Sequence, residues 1–94
     1  MIASLPMYDR PETAEANDRL WSGMAERIGS DAPLSRDIDD MFEHWLDPRL
    51  ALSQTCGFPY RARLAGHVTL LATPVLDLEC DAGHYFSVII MRRE

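Results

Sequence analysis

Leu50-Ala51-Leu52-Ser53-Gln54-Thr55-Cys56-Gly57-Phe58-Pro59-Tyr60 is the stretch on which the fold turns. Its first six residues are apolar and then polar, with hydroxyls at Ser53 and Thr55, the pattern of a buried strand leaving a core. Gly57 follows, and Phe58-Pro59-Tyr60 opens a short helix, because proline fits a first helical turn. A strand running directly into a helix is the repeating unit of an α/β layer. The transition occurs a second time at the N-terminal end. Residues 2–8, Ile2-Ala3-Ser4-Leu5-Pro6-Met7-Tyr8, read as a short strand that Pro6 ends, since proline has no N–H for a ladder. Asp9 is placed to cap the next helix, Glu12 to close a capping box and Pro11 to fill its first turn.

The elements between and beyond follow from periodicity. Ala14, Asn17, Leu20, Trp21, Met24 and Ile28 recur at helical spacing, and Gly29 ends the run, so a helix is expected over 11–28. Residues 34–36 read as a very short strand. Asp39 or Asp40 caps a second helix over 40–46 that carries Met41, Phe42, Trp45 and Leu46; Asp47-Pro48 stops it, because a residue before proline avoids the helical region. The third helix is expected over 58–65. Strands are expected over 68–73, stopped by Pro74, and over 85–91, where Val88-Ile89-Ile90 is the most apolar run of the chain. The order is β-α-(β)-α-β-α-β-β. It predicts one α/β domain over 1–94: three layers, a mostly parallel sheet and flanking helices.

Composition narrows the function. The chain has 94 residues and a net charge of −6, and 47% of it is hydrophobic, which is ordinary for a folded core. A chain this short buries only about 60–65% of its unfolded surface, so its core is thin. The acidic balance argues against a groove that tracks nucleic-acid phosphates. Every one of the nine basic residues is Arg. That excludes Schiff-base lysine chemistry and a P-loop. No window is apolar for long enough to span a membrane. Met1–Met7 carry no basic region ahead of an apolar core, so no secretory signal reads there: the chain is either cytoplasmic as given, or an export signal lies outside it. Cys56 and Cys80 form no C-x-x-C pair and are expected to be separate thiols.

In parallel α/β sheets ligands gather off the carboxyl ends of strands. Two junctions qualify, Met7–Arg10 and Ser53–Gly57. At the second, hydroxyls and free N–H groups at a helix start suit an anion; an ordinary cap with a glycine for close packing is the alternative. Tyr8, Tyr60 and Tyr85 sit at strand ends or helix starts, where a tyrosine either closes a ligand site or is a half-buried core residue with a wet tip. Cys56 beside Gly57 suits a nucleophile only if His44, His67 or His84 reaches it in space; a structural thiol is the simpler reading. The histidines lack metal-ligand spacing, so no metal is expected. Asp37, Asp39, Asp40 and Glu43 read as solvated charge at a helix start.

These residues, taken in order, carry a resemblance. Ser4-Leu5-Pro6-Met7-Tyr8-Asp9, Trp45-Leu46-Asp47-Pro48, Ser53-Gln54-Thr55-Cys56-Gly57-Phe58-Pro59-Tyr60, Thr73-Pro74 and Gly83-His84-Tyr85-Phe86-Ser87 together resemble the phosphate, phosphite and phosphonate substrate-binding proteins of ABC transporters. Those proteins have the type II periplasmic-binding-protein fold, a two-lobed clamp. The resemblance implies that this chain is the first part of the first lobe, lacking the second lobe and a returning strand. It implies ligand contacts from Tyr8, Ser53, Thr55, Cys56, Tyr60, Tyr85 and Ser87, with no catalytic residue and no cofactor. Its implied partners are a small anionic ligand and a transporter permease, in a family that is usually periplasmic. An unfilled sheet edge at 85–91 further implies a homo-oligomer. Two other readings stay open: a small cysteine enzyme using Cys56, and a truncated fragment whose main property is self-association.

Overall fold

The computed structural model describes residues 1–85 and 87–93. The elements are β1 (Ile2–Ala3), α1 (Ala14–Ile28), α2 (Met41–Trp45), β2 (Leu50–Leu52) and α3 (Gly57–Pro59), which runs on into a π-helical turn at Tyr60–Leu64. β1 and β2 pair in parallel, with Ile2 opposite Leu50 and Ala3 opposite Leu52. Ile2 N–H donates to Arg49 C=O at 2.9 Å and Ser4 N–H to Leu52 C=O at 3.0 Å. A parallel pair needs a long crossover, and α1, the 30–40 segment and α2 supply it. The described residues thus form a small mixed α/β unit with a two-stranded parallel sheet and three helices.

α1 is the longest element, and its core face is the one the sequence marks. Trp21 and Ala25 are buried against Ala3, Leu5 and Leu34, with Met24 and Leu52 packed around them. The Trp21 indole N–H donates to Ala32 C=O at 2.8 Å, so its polar edge is satisfied although the ring is 4% exposed. Gly29 ends the helix at φ 71°, and Ser30 N–H reaches back to Ala25 C=O at 2.9 Å, a left-handed stop that glycine makes without strain.

The start of α1 differs from expectation. The helix begins at Ala14, and Asp9 does not cap it. The Asp9 carboxylate accepts instead from Asn17 Nδ2 and Arg36 Nε, both at 2.9 Å. A charge-assisted bond to a guanidinium is stronger than one to a neutral N–H, so Arg36 wins the carboxylate. Arg36 also meets Asp18 at 2.9 Å, and it ties the 34–36 segment to α1. That segment is not a strand. It runs beside β1, where Ser35 N–H donates to Ala3 C=O at 2.8 Å.

α2 forms as read. Asp40 Oδ1 accepts from Glu43 N–H at 3.1 Å and caps it. Phe42 and Trp45 meet edge to face with centroids 5.3 Å apart, and the Arg63 guanidinium lies 3.9 Å above the Phe42 ring. The latter contact draws the π-helical turn against α2.

The expected strands over 68–73 and 85–91 do not form among the described residues, and Phe86 lies outside them. A strand exists only where its ladder groups find a partner. Here the segment after Gly66 makes local turns: Cys80 N–H donates to Leu78 C=O at 2.8 Å and His84 N–H to Asp81 C=O at 3.0 Å. Apart from half-buried Val68, its described apolar side chains stay exposed, Ile89 by 90%. The radius of gyration, 15.3 Å, exceeds the ~12 Å of a compact chain of this length, which reflects the same fact.

Trp21→Ala removes the largest ring of the core and leaves Ala32 C=O without its donor. A loss of about 3–5 kcal/mol is expected, most of the stability of a domain this small. Urea unfolding followed through the remaining Trp45 measures it; a loss under ~1 kcal/mol means that the core lies elsewhere.

Candidate functional site: a hydroxyl cluster at the strand exits

The parallel pairing sets the carboxyl ends of β1 and β2 side by side, and Met7 N–H donates to Gln54 Oε1 at 3.2 Å across the gap. Between the two exits lies a connected set of polar side chains. Ser4, with no exposed surface, is the one buried polar residue in the described core. Its Oγ lies 2.8 Å from His44 Nε2 and 2.7 Å from Ser53 Oγ. The Trp45 indole N–H is shared between Ser53 Oγ and Gln54 C=O, 3.1 Å to each. The cluster joins residues 40 and 49 positions apart in the chain. α2 holds its His44 and Trp45 on consecutive positions of one capped turn, and β2 ends at Leu52 because Ser53 and Gln54 turn to these side-chain partners.

Burial holds His44 below its usual 6.5, while the nearby Asp47 carboxylate pulls the other way. Asp47 is itself pulled down to about 2 by hydrogen bonds from Arg49, whose Nη2 lies 2.7 Å away. Asp9 is lowered by the bonds from Arg36 and Asn17.

The residues marked in the sequence are spread over three places. Ser53 lies in the cluster, half-buried. Thr55 follows it, half-buried, and its hydroxyl donates to Cys56 C=O at 3.1 Å. Cys56 is exposed and precedes α3, and its thiol makes no cap bond. Tyr60 starts the π-helical turn, half-buried. Tyr8 stands at the exit of β1 with φ 62°, a left-handed backbone that costs a tyrosine strain and turns the chain toward α1. Its carbonyl accepts from the Thr13 hydroxyl, which holds that turn. Tyr8 and Tyr85 share a shallow open cleft of about 480 Å³ with Leu76, Asp77 and Leu78. Ser87 is exposed. Cys80 is a free, exposed thiol like Cys56.

One physical expectation is corrected. An anion at the start of a 58–65 helix would draw on that helix's macrodipole. α3 is a single turn followed by wider π-type hydrogen bonding, with Ala65 N–H donating to Tyr60 C=O at 2.8 Å. A dipole sums over aligned peptides, and so short an element supplies little of it. The site's donors are therefore hydroxyls and individual N–H groups.

Sequence reading missed Ser4 and His44 as a pair. Each is unremarkable locally, and a serine inside an apolar strand of 2–8 was the available signal, since a buried hydroxyl demands a partner. Among the described residues no cluster of His, Cys, Asp and Glu suits a metal ion, and no helix is long and apolar enough to cross a membrane. Comparison of the chain with protein-family models, curated proteins and solved structures returns no match.

The pKa directions set the acid response. A histidine held below 6.5 in the fold carries fewer protons there than when unfolded, so its contribution is intact above 6.5 and is lost as pH falls below it. Asp9, lowered from 3.8, contributes above that value and loses its contribution as pH falls further. Asp47 and Arg49 are two residues apart, a pair that persists in the unfolded chain and so adds little. Stability is expected to decline in two stages, with His44→Gln flattening the upper one, as thermal melts across pH would record. A decline confined to pH below 3.8 contradicts the placement of His44.

Proposed function

We propose that this chain is a solute-binding module that holds a small tetrahedral oxyanion, phosphate, phosphite or a phosphonate, at the paired exits of β1 and β2, and performs no chemistry on it. The observation that carries this reading is the Ser4–His44–Ser53–Trp45 cluster at the carboxyl ends of two parallel strands, the place where open α/β sheets bind ligands. Ser53 presents a half-buried hydroxyl there, backed by fixed donors. Thr55 and the N–H groups around Cys56 and Gly57 extend the same edge, with Tyr8 on the neighbouring exit. Hydroxyls and N–H groups bind an anion without a lysine, which agrees with a chain that has none.

The resemblance to the phosphate, phosphite and phosphonate binding proteins of ABC transporters points the same way. On that reading 68–73 and 85–91 are the further strands of a three-layer lobe, the second lobe closes over the ligand, and a permease receives it. These residues supply one side of the ligand, so affinity in the millimolar range is expected. Titrating phosphate, phosphite and methylphosphonate against amide shifts tests it. Shifts concentrated in 53–60 and near Tyr8 support the site; silence there, with movement elsewhere, removes it. Cys56→Ser separates this reading from a cysteine enzyme, because a binding module keeps its affinity within a few-fold.

A second reading has its own observation. Val88, Ile89, Ile90 and Met91 are consecutive, apolar and exposed. β-branched residues in such a run pair readily with another strand, and each side chain buried there gains about 1.5–3 kcal/mol. A homodimer through 85–91 is therefore proposed alongside the binding role. Light scattering is expected to give about twice 10.7 kDa, and Ile89→Lys to return it to one copy. A monomer at high micromolar concentration rejects it.

A further inference from the structure

The strand-exit cluster contains more information than a set of donors, because the hydroxyl protons in it can be counted. Ser4 Oγ has two partners, His44 Nε2 at 2.8 Å and Ser53 Oγ at 2.7 Å, and no contact with solvent. A hydroxyl has one proton to give and two lone pairs to receive with. When His44 Nε2 carries a proton, it donates to Ser4, and the Ser4 proton has one place left to go, Ser53. Ser53 then accepts from both Ser4 and the Trp45 indole N–H. Its lone pairs are filled, so its own proton points out of the cluster. When Nε2 is bare, Ser4 donates to the ring, and Ser53 is free to donate back to Ser4 and to face outward as an acceptor.

We propose that Ser4 is a relay that couples the protonation of His44 to the hydrogen-bond polarity of Ser53, so that Ser53 is fixed as a donor to an oxygen of the anion when His44 Nε2 carries a proton. The proposal rests on the oxyanion reading above and adds to it a positioning residue, His44. The imidazolium always has Nε2–H, whereas neutral histidine divides between two tautomers. By reciprocity, an ion that needs Ser53 as donor favours the imidazolium.

The surroundings of His44 leave room for this. Just beyond β1 it meets the uncharged Ser4, whose hydroxyl stands between it and Ser53. After α2 comes Asp47, whose carboxylate favours the imidazolium but is already shared with Arg49. From the π-helical turn, Arg63 is occupied over the Phe42 ring. Asp40 and Glu43 of the same helix are exposed to solvent, which screens them. Partial burial lowers the pKa of the ring, which disfavours the imidazolium until an anion favours it.

The test is the titration midpoint of His44, followed through its imidazole resonances in the full chain with saturating phosphate and with sodium chloride at equal ionic strength. His67 and His84, both exposed, are internal controls. The expected result is a rise of the His44 midpoint by half a unit or more, about a threefold preference for the protonated form, with the controls unmoved. Ser4→Ala removes the hydroxyl that touches both His44 and Ser53. The charge of a bound anion alone still raises the His44 midpoint there, so the relay predicts a smaller rise than in the wild type, and an equal rise overturns it. If that variant does not fold, the wild-type comparison decides alone. Phosphate shifts at 53–60 with a stationary His44 midpoint in the wild type overturn the relay and leave the oxyanion site standing. Silence at 53–60 overturns the oxyanion reading itself.

Discussion

The rest of the molecule depends on the parallel contact between β1 and β2, two and three residues long. A ladder that short is held by few backbone bonds, and it persists because both of its sides are occupied. Ala3 and Leu5 face the Trp21 ring and Ala25 of α1. On the other face the Ser4 hydroxyl is taken up by His44 and Ser53. A one-residue slip would put Ser4 in the apolar cluster and Ala3 or Leu5 against His44, because side chains alternate across a strand. Burying an unpaired hydroxyl costs about 1–3 kcal/mol, so the polar cluster sets the register as much as the apolar one does.

The same economy shapes the charges. With no lysine in the chain, every fixed cation is a guanidinium, and Arg36 makes the broadest use of one. It bonds Asp9 and Asp18 and reaches Ala14 C=O at 3.3 Å. The segment between α1 and α2 is thereby fastened to the start of α1, while Leu34 enters the core beside Ala3. Exposed ion pairs are individually weak. This one has leverage because it closes a crossover of 27 residues between Asp9 and Arg36.

Binding chemistry and packing meet at α2. Its five residues carry Trp45, buried against Ser53 and Gln54, and His44, turned to Ser4. Their anchoring depends on the Asp40 cap and on the Phe42 contacts with Trp45 and Arg63. Anything that moves this turn moves the donors behind Ser53, so a short, well-capped helix serves as the backing of the candidate site. Tyr8, at the exit of β1, shares its cleft with Leu76, Leu78 and Tyr85, which belong to the region after Gly66 where most described apolar side chains are uncovered.

What the sequence determined by itself was local. α1 and its stop at Gly29, α2 and its Asp40 cap, and the strand character of residues 2–3 and 50–52 follow from spacing and from side chains within one turn of the backbone they serve. Ser53 and Thr55 were legible as hydroxyls leaving a strand. Tertiary structure decided the rest, because each remaining choice depends on a partner distant in sequence. Asp9 bonds Arg36 rather than capping its own helix. Ser4 and His44 gain meaning from each other across 40 residues. The apolar runs at 68–73 and 85–91 have strand composition, but composition supplies only the willingness to pair. A ladder needs a second strand in register, and among the described residues β2 bonds to β1 alone.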